Sequence, residues 1–361
     1  MKKYFLFIIS SLLLVSAWSC QKTYTLSSLP APPALTNTFT ITRTPTSTFT
    51  PTNSLTPTRT FTATITSTPV PGANWIEAAA SAAFSGREGH SSVVFNNEMW
   101  VIAGFDLTTV DFNNDVWYSG NGSVWTQATA HSAFGARVDQ ASVVFNNKMW
   151  VIGGSANGPI YYNDVWSSPD GITWTQVTPN GGFPGRYYHT CLVYNNLIWV
   201  IGGVDSSNHY LGDVWSSPDG ITWTQATSSA AFGARSDHTS MVYNNQMWVI
   251  GGGSATGILN DVWNSTDGVT WSLVTNNAAF STRVLLTSAV LNNQMYVMAG
   301  NHSGTVMNDV WYSSDGIIWT AATNNAGFGG REDQTSLAYN NVLWIIGGFS
   351  SSYLSDVWHS N

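Results

Sequence analysis

An all-β, six-bladed β-propeller carried on an extended stalk is the architecture this 361-residue chain predicts, and three observations carry the prediction. A unit of 48 to 50 residues occurs six times, marked by Arg87, Arg137, Arg186, Arg235, Arg283 and Arg331. Each unit reads Phe-x-x-Arg, an apolar run, Asn-Asn, a second apolar run ending in Gly-Gly or Ala-Gly, a variable stretch, Asp-Val-Trp and Gly-x-x-Trp. The sixth unit stops at Asp356-Val357-Trp358, and the missing piece, Gly72-Ala73-Asn74-Trp75, stands before the first arginine. A fixed period of about fifty residues signals radial repetition, each unit burying its faces only against its neighbours.

The chain divides into three segments. Residues 1–20 hold Lys2 and Lys3, an apolar run from Phe5 to Val15, and Ala17-Trp18-Ser19-Cys20. A charged start, a short apolar core and small residues before the cleavage point describe a secretory signal peptide. The apolar run falls short of the roughly 20 residues that span a membrane. Residues 21–71 alternate strictly, with Thr at every even position from Thr36 to Thr68 except Ser54. The prolines Pro45, Pro51, Pro57 and Pro69 break this run, and it lacks an apolar face, so a disordered, extended linker is expected rather than a strand. Residues 72–361 are the propeller.

Within one unit, Ser142–Phe145 is β-rich and ends at Asn146-Asn147, a pair that tolerates the positive φ of a tight hairpin. Lys148–Ile152 continues as a second strand and stops at Gly153-Gly154. After the variable loop Ser155–Asn163, Asp164–Ser168 reads as strand three, Asp170-Gly171 as a turn and Ile172–Val177 as strand four. Gly72–Trp75 is expected to complete the last blade, leaving no open sheet edge in the ring.

The Gly-Gly pairs (Gly153-Gly154, Gly202-Gly203, Gly251-Gly252, Gly347-Gly348) and the aromatics beyond them resemble the kelch-repeat family. Ala103-Gly104 and Ala299-Gly300 depart slightly from that pattern. The resemblance covers the whole folded segment and implies a kelch-type propeller. It implies little about activity, because kelch domains include enzymes, scaffolds and glycan binders. Ser168-Pro169-Asp170-Gly171-Ile172-Thr173-Trp174 resembles the Asp-box of sialidase-type propellers with one residue missing, which implies a structural hairpin away from any active site. Cys20 after a signal-like segment resembles a bacterial lipoprotein signal. That implies a lipidated Cys20, attachment to the membrane through it, and an exported protein at the cell envelope or outer surface.

Charge narrows the partners. The propeller segment carries seven basic and all twenty acidic side chains of the chain, a net charge of −13, while the preceding residues carry +5. A nucleic-acid binder would show a basic stripe, so nucleic acid is not an expected partner. Cys191 is the one cysteine of this segment, so no disulfide can form within it.

Subtracting the repeats leaves few residues for chemistry. Seventeen of the eighteen tryptophans occupy repeat positions, which fits packing between blades. Each repeat arginine is expected to pair with a repeat carboxylate, such as the equally numerous aspartate of Asp-Val-Trp, or with strand-end carbonyls. The position three after each arginine varies (His90, Gln140, His189, His238, Leu286, Gln334) and should lie near the mouth of the central channel. His189 and His238 fall on adjacent blades, with Tyr187, Tyr188 and Asp237 nearby. Two histidines and a tyrosine are copper-ligand types, and galactose oxidase is a kelch-type propeller. Its cross-linked cysteine has only Cys191 to match, so histidines bonding within the channel rim are expected instead. No Ser-His-Asp order, HExxH, P-loop or dinucleotide fingerprint is present, and no catalytic residue, metal or cofactor is assigned.

The variable loops between strands two and three share one face and bear aromatic and carboxylate side chains, the set that suits sugars or a protein partner. The expected ligand-binding residues are Asp106, Tyr161, Tyr162, Tyr188, His189, Asp205, Tyr210 and His238. The expected function is a monomeric, non-enzymatic module binding a protein or glycan. The alternative is a carbohydrate-active propeller enzyme of the epimerase or mutarotase, sialidase or galactose-oxidase kind. Convergence of Glu88, Asp139, Asp237, Glu332 and Asp333 in one pocket would favour that alternative.

Overall fold

The computed structural model describes residues 70–106 and 111–361. The signal segment, Cys20 and the Thr/Pro-rich linker as far as residue 69 lie outside the described residues. Six four-stranded antiparallel sheets form the blades, and the expectation of a six-bladed propeller holds. In the second blade the strands are Ala141–Phe145, Lys148–Ile152, Val165–Ser168 and Thr175–Thr178. All six Asn-Asn pairs take left-handed backbone, as at Asn146 (φ 47°) and Asn147 (φ 55°). That conformation supplies the twist a two-residue hairpin needs.

The fourth strand starts later than the sequence predicts. Ile172–Trp174 belongs to the turn, because the Asp170 carboxylate accepts the amides of Ile172 (2.9 Å) and Thr173 (2.7 Å). Ser168 Oγ accepts the Gly171 amide at 2.8 Å. The glycine is required there for two reasons. Its φ is +75°, and a Cβ would sit 2.1 Å from the Trp100 ring of the preceding blade.

Trp75–Ala79 pairs antiparallel with Tyr353–Ser360 and closes the ring between first and last blades. It reproduces the fourth-strand pattern in detail. Each of the other five blades has a bulge opposite Asp-Val-Trp, as where Val165 faces Thr178 and Trp166 faces Gln176. The same irregularity lies between Glu77 and Ala79 opposite Trp358 and Val357. Trp75 meets Phe328 edge-to-face at 4.8 Å, as Trp174 meets Phe134 at 4.9 Å.

The core is divided into six apolar clusters, each at the seam between two neighbouring blades. Val93, Phe95, Trp100 and Ile102 of the first blade, for example, pack on Phe134, Met149 and Val151 of the second. Beside every seam lies a buried ion pair. Arg186 holds Asp213 through both oxygens (2.7 and 2.8 Å) and donates to the Gly202 carbonyl at 2.8 Å, while Phe183 lies 5.4 Å from its guanidinium. Trp215 Nε1 donates to the same carboxylate at 2.7 Å. The expected pairing recurs in all six blades. Phe-x-x-Arg and Asp-Val-Trp are thus two halves of one buried network.

Candidate binding site at the channel mouth

The inner strands converge on a central channel, and the short segment after each arginine builds its mouth. The residue one past the arginine bridges back to its own blade just beyond the Gly-Gly pair, as Glu88 does to Phe105 and Glu332 to Phe349. The residue two past the arginine is left-handed in every blade: Gly89, Asp139, Tyr188, Asp237, Leu285 and Asp333 all have φ between 53° and 57°. Their amides donate round the ring to the preceding blade's carbonyl: Asp139 to Gly89 (2.8 Å), Tyr188 to Asp139 (3.3 Å), Asp237 to Tyr188 (3.1 Å), Leu285 to Asp237 (3.0 Å) and Asp333 to Leu285 (3.2 Å). At the sixth step the Gly89 amide donates to the Asp333 carboxylate. At about 4.8 Å per hydrogen-bonded step, alternate members of this hexagon stand roughly 8 Å apart. Aspartates occupy alternate blades, the second, fourth and sixth.

A cavity of about 240 Å³ lies inside this ring and takes in Gly89, Asp139, Tyr188, Asp237, Leu285 and Asp333. Each of these aspartates is half-buried, and their charges are mutually unfavourable. Burial, with Asp333, Asp237 and Glu88 close by, pushes the Asp139 carboxyl well above the usual range, although Tyr188 donates to it. Burial and Glu88, Asp237 and Glu332 push Asp333 the same way. Burial raises Asp237 to about 6 against a 2.5 Å hydrogen bond from Ser236. Burial and Glu332 raise Glu88 to about 7. The six arginines are all committed to their own aspartates, so none offsets this cluster.

The next position lies deeper. His90, Gln140, His189, His238, Leu286 and Gln334 are buried, line the same cavity and reach toward the preceding blade. Gln140 Nε2 donates to the Ile102 carbonyl at 3.0 Å, and Gln334 Nε2 reaches the Met298 carbonyl at 3.5 Å. His238 Nε2 lies 3.0 Å from Thr190 Oγ1, and His90 Nε2 lies 3.0 Å from Thr335 Oγ1. Burial, with the neighbouring arginine second, pushes all three histidines down to about 3. They are therefore neutral near pH 7. Burial pushes the Cys191 thiol well up.

The structure distributes the expected site residues over three environments. Tyr188, His189 and His238 line the channel cavity. Tyr161 and Tyr210 stand on the loop face above it; the Tyr161 ring meets Tyr187 at a tilt (5.4 Å, 41°), Tyr187 meets Tyr188 likewise (4.8 Å, 43°), and Tyr210 is 38% exposed. Three residues make contacts within the fold. Tyr162 lies 4.1 Å from the Arg137 guanidinium. Asp205 caps its own loop, accepting the amides of Ser207 and His209 at 2.8 and 3.0 Å. Asp106 is 1% exposed at the end of a strand, opposite Asp111 in register. Asp139, Asp237 and Asp333 line the cavity together, and Glu88 and Glu332 lie close enough to act on their charges without lining it. The left-handed ring was not read from the sequence, although three aspartates at alternate repeats were its visible trace. Among the described residues no group of His, Cys, Asp or Glu is placed to hold a metal ion.

Two family models match. The KLHDC2/KLHL20/DRC7 Kelch-repeats domain matches residues 58–203 and 89–275, together more than half of the chain. The DUF6242 beta propeller domain matches residues 238–361. No curated protein matches the chain.

Proposed function

Because the chain belongs to the kelch-repeat family, whose scaffold hosts many unrelated functions, we propose from the site itself that this propeller is a binding module for a glycan or protein ligand. The ligand is taken at the channel mouth and the loop face around it. One observation carries the reading: the run of tyrosines in ring contact, Tyr161, Tyr187 and Tyr188, ends on the Asp139 carboxylate at an open cavity. Aromatic faces pack against sugar C–H surfaces or apolar side chains, and carboxylates accept from hydroxyls or amines. The test is a glycan array of the full chain beside a Tyr161→Ala, Tyr210→Ala variant, with a pull-down from the native envelope in parallel. Binding lost in the variant supports the reading. Binding that the variant keeps contradicts it.

A second reading, a carbohydrate-active enzyme, has the convergence of Glu88, Asp139, Asp237 and Asp333 in its favour. A carboxyl held near pH 7, as at Glu88, can serve as a general acid. Conversion of an array ligand by the wild-type chain and not by Asp139→Asn would establish it.

We place the module outside the cell, on residues 1–20 as a signal, 21–71 as a stalk and Cys20 as the lipidated anchor, with 72–361 as a monomeric propeller. The signal-like opening and the Thr/Pro alternation support this. The mass of the mature N-terminus in wild type and Cys20→Ala tests it. The Asp-Gly turns are read as structural hairpins similar to the Asp-box, since their carboxylates are spent on their own amides.

A further inference from the structure

We propose that the channel mouth takes a protonated amino sugar, a glycan whose free 2-amino group seats as an ammonium among Asp139, Asp237 and Asp333. This rests on the binding reading above and names its ligand class.

The first observation is uncompensated negative charge. Every arginine of the propeller is spent in its own blade. Lys148 starts a second strand at the Asn-Asn hairpin, the far end of the blade from the mouth. Carboxylates crowded in this way raise one another's pKa, and a cation among them would turn that repulsion into attraction.

The second observation is independent of charge. Gln140 and Gln334 are each 5% exposed, and both line the cavity. Their amide nitrogens face the interblade carbonyls, which leaves Gln140 Oε1 and Gln334 Oε1 as buried acceptors without a partner. Asp139 Oδ1 is a third. An unmet buried acceptor costs roughly 1–3 kcal/mol, so the cavity favours a ligand rich in donors.

Size and shape then select among cations. Among the described residues no group of His, Cys, Asp or Glu is placed to hold a metal ion, so the cation argued for is an organic one. An ammonium has three diverging N–H donors and a body behind it. Gly89 lets the Asp139 carboxylate lie against the ring backbone, because a Cβ there would fall 2.4 Å from Asp139 Oδ1 and 2.2 Å from Val138 Cγ2. The tyrosine run favours a sugar ring over a bare amine. Tyr188 donates to Asp139 while its ring continues into Tyr187 and Tyr161, so an ammonium on the carboxylate places its pyranose beside aromatic faces.

The test is titration calorimetry of the full chain with the β-1,4-linked glucosamine tetramer, the N-acetylglucosamine tetramer and tetralysine. The glucosamine tetramer should bind at least tenfold tighter than the other two. An Asp139→Asn, Asp333→Asn variant should lose that preference. If that pair melts without a cooperative transition, Asp237→Asn replaces it. Equal binding of the acetylated tetramer would overturn the ammonium assignment and leave the binding-module reading standing. Tetralysine binding as tightly would overturn the sugar assignment in favour of a basic peptide. A chain that binds none of the three probes but does bind neutral glycans on the array overturns this inference alone.

Discussion

Arg186 and Asp139 show how differently charge is used at two ends of one short segment. Arg186 is fully buried, yet every direction of its guanidinium is met by Asp213, a carbonyl or an aromatic face. Removing one partner of such a pair strands the other, at about 3–5 kcal/mol. Asp213→Asn should therefore lower the urea unfolding free energy by about that amount, whereas Asp139→Asn, which relieves repulsion, should not lower it. The pairing was legible in the sequence because arginine and aspartate recur in equal number at fixed spacing. The internal contacts of Tyr162 and Asp205 were not, because a loop side chain that touches the scaffold looks the same in sequence as one that does not.

The buried histidines carry a second prediction at this scale. Their folded pKa near 3 lies below the ordinary 6.5, so the unfolded chain binds protons that the folded one refuses. Their contribution to stability is complete above about pH 6.5 and is lost as pH falls toward 3. Glu88 and Asp237 act oppositely: raised to about 7 and 6, they favour the fold below about pH 4 and lose that contribution as pH rises through those values. Gln140 and Gln334 already fill the histidine position in two blades. Replacing His90, His189 and His238 together by Gln should move the acid-unfolding midpoint to lower pH, as followed by circular dichroism.

At the scale of the element, the repeat explains its own exceptions. Each strand-two tryptophan lies over the turn glycine of the next blade, as Trp100 does over Gly171 and Trp150 over Gly220. Tyr296 is the one substitution, and it stands in the fifth blade, whose neighbouring turn is where the chain's ends meet. There a Cβ on Gly72 would meet Val310 and Leu343 instead of an indole. The Asp170 turn shows why strand four was read too long. Ile172 has the β-branched look of a strand residue but is 59% exposed, with its amide held by a side chain. Hydrophobic pattern alone does not separate a strand from a side-chain-capped turn.

For the whole molecule, closure decides stability. The ring was legible because the missing Gly-x-x-Trp could be found at the other end of the propeller segment, and Trp75–Ala79 occupies the place it predicts, bulge included. Deleting residues 72–80 removes a whole strand and the Trp75–Phe328 contact. The truncated chain should lose cooperative melting and be cut rapidly by trypsin; a sharp transition near the wild-type temperature would contradict the closure. The site was only half legible. Its carboxylates could be named, but their convergence depends on a left-handed ring whose hydrogen bonds run between units some fifty residues apart.

The measurement that tests the central claim most directly is a glycan array read with three full-length proteins. These are the wild type, the Tyr161→Ala, Tyr210→Ala variant at the channel mouth, and an Ile172→Ser, Ile221→Ser variant on the opposite hairpin face. The account predicts wild-type signal that the hairpin-face variant retains and the mouth variant loses. Signal lost on the hairpin face and kept at the mouth would contradict it.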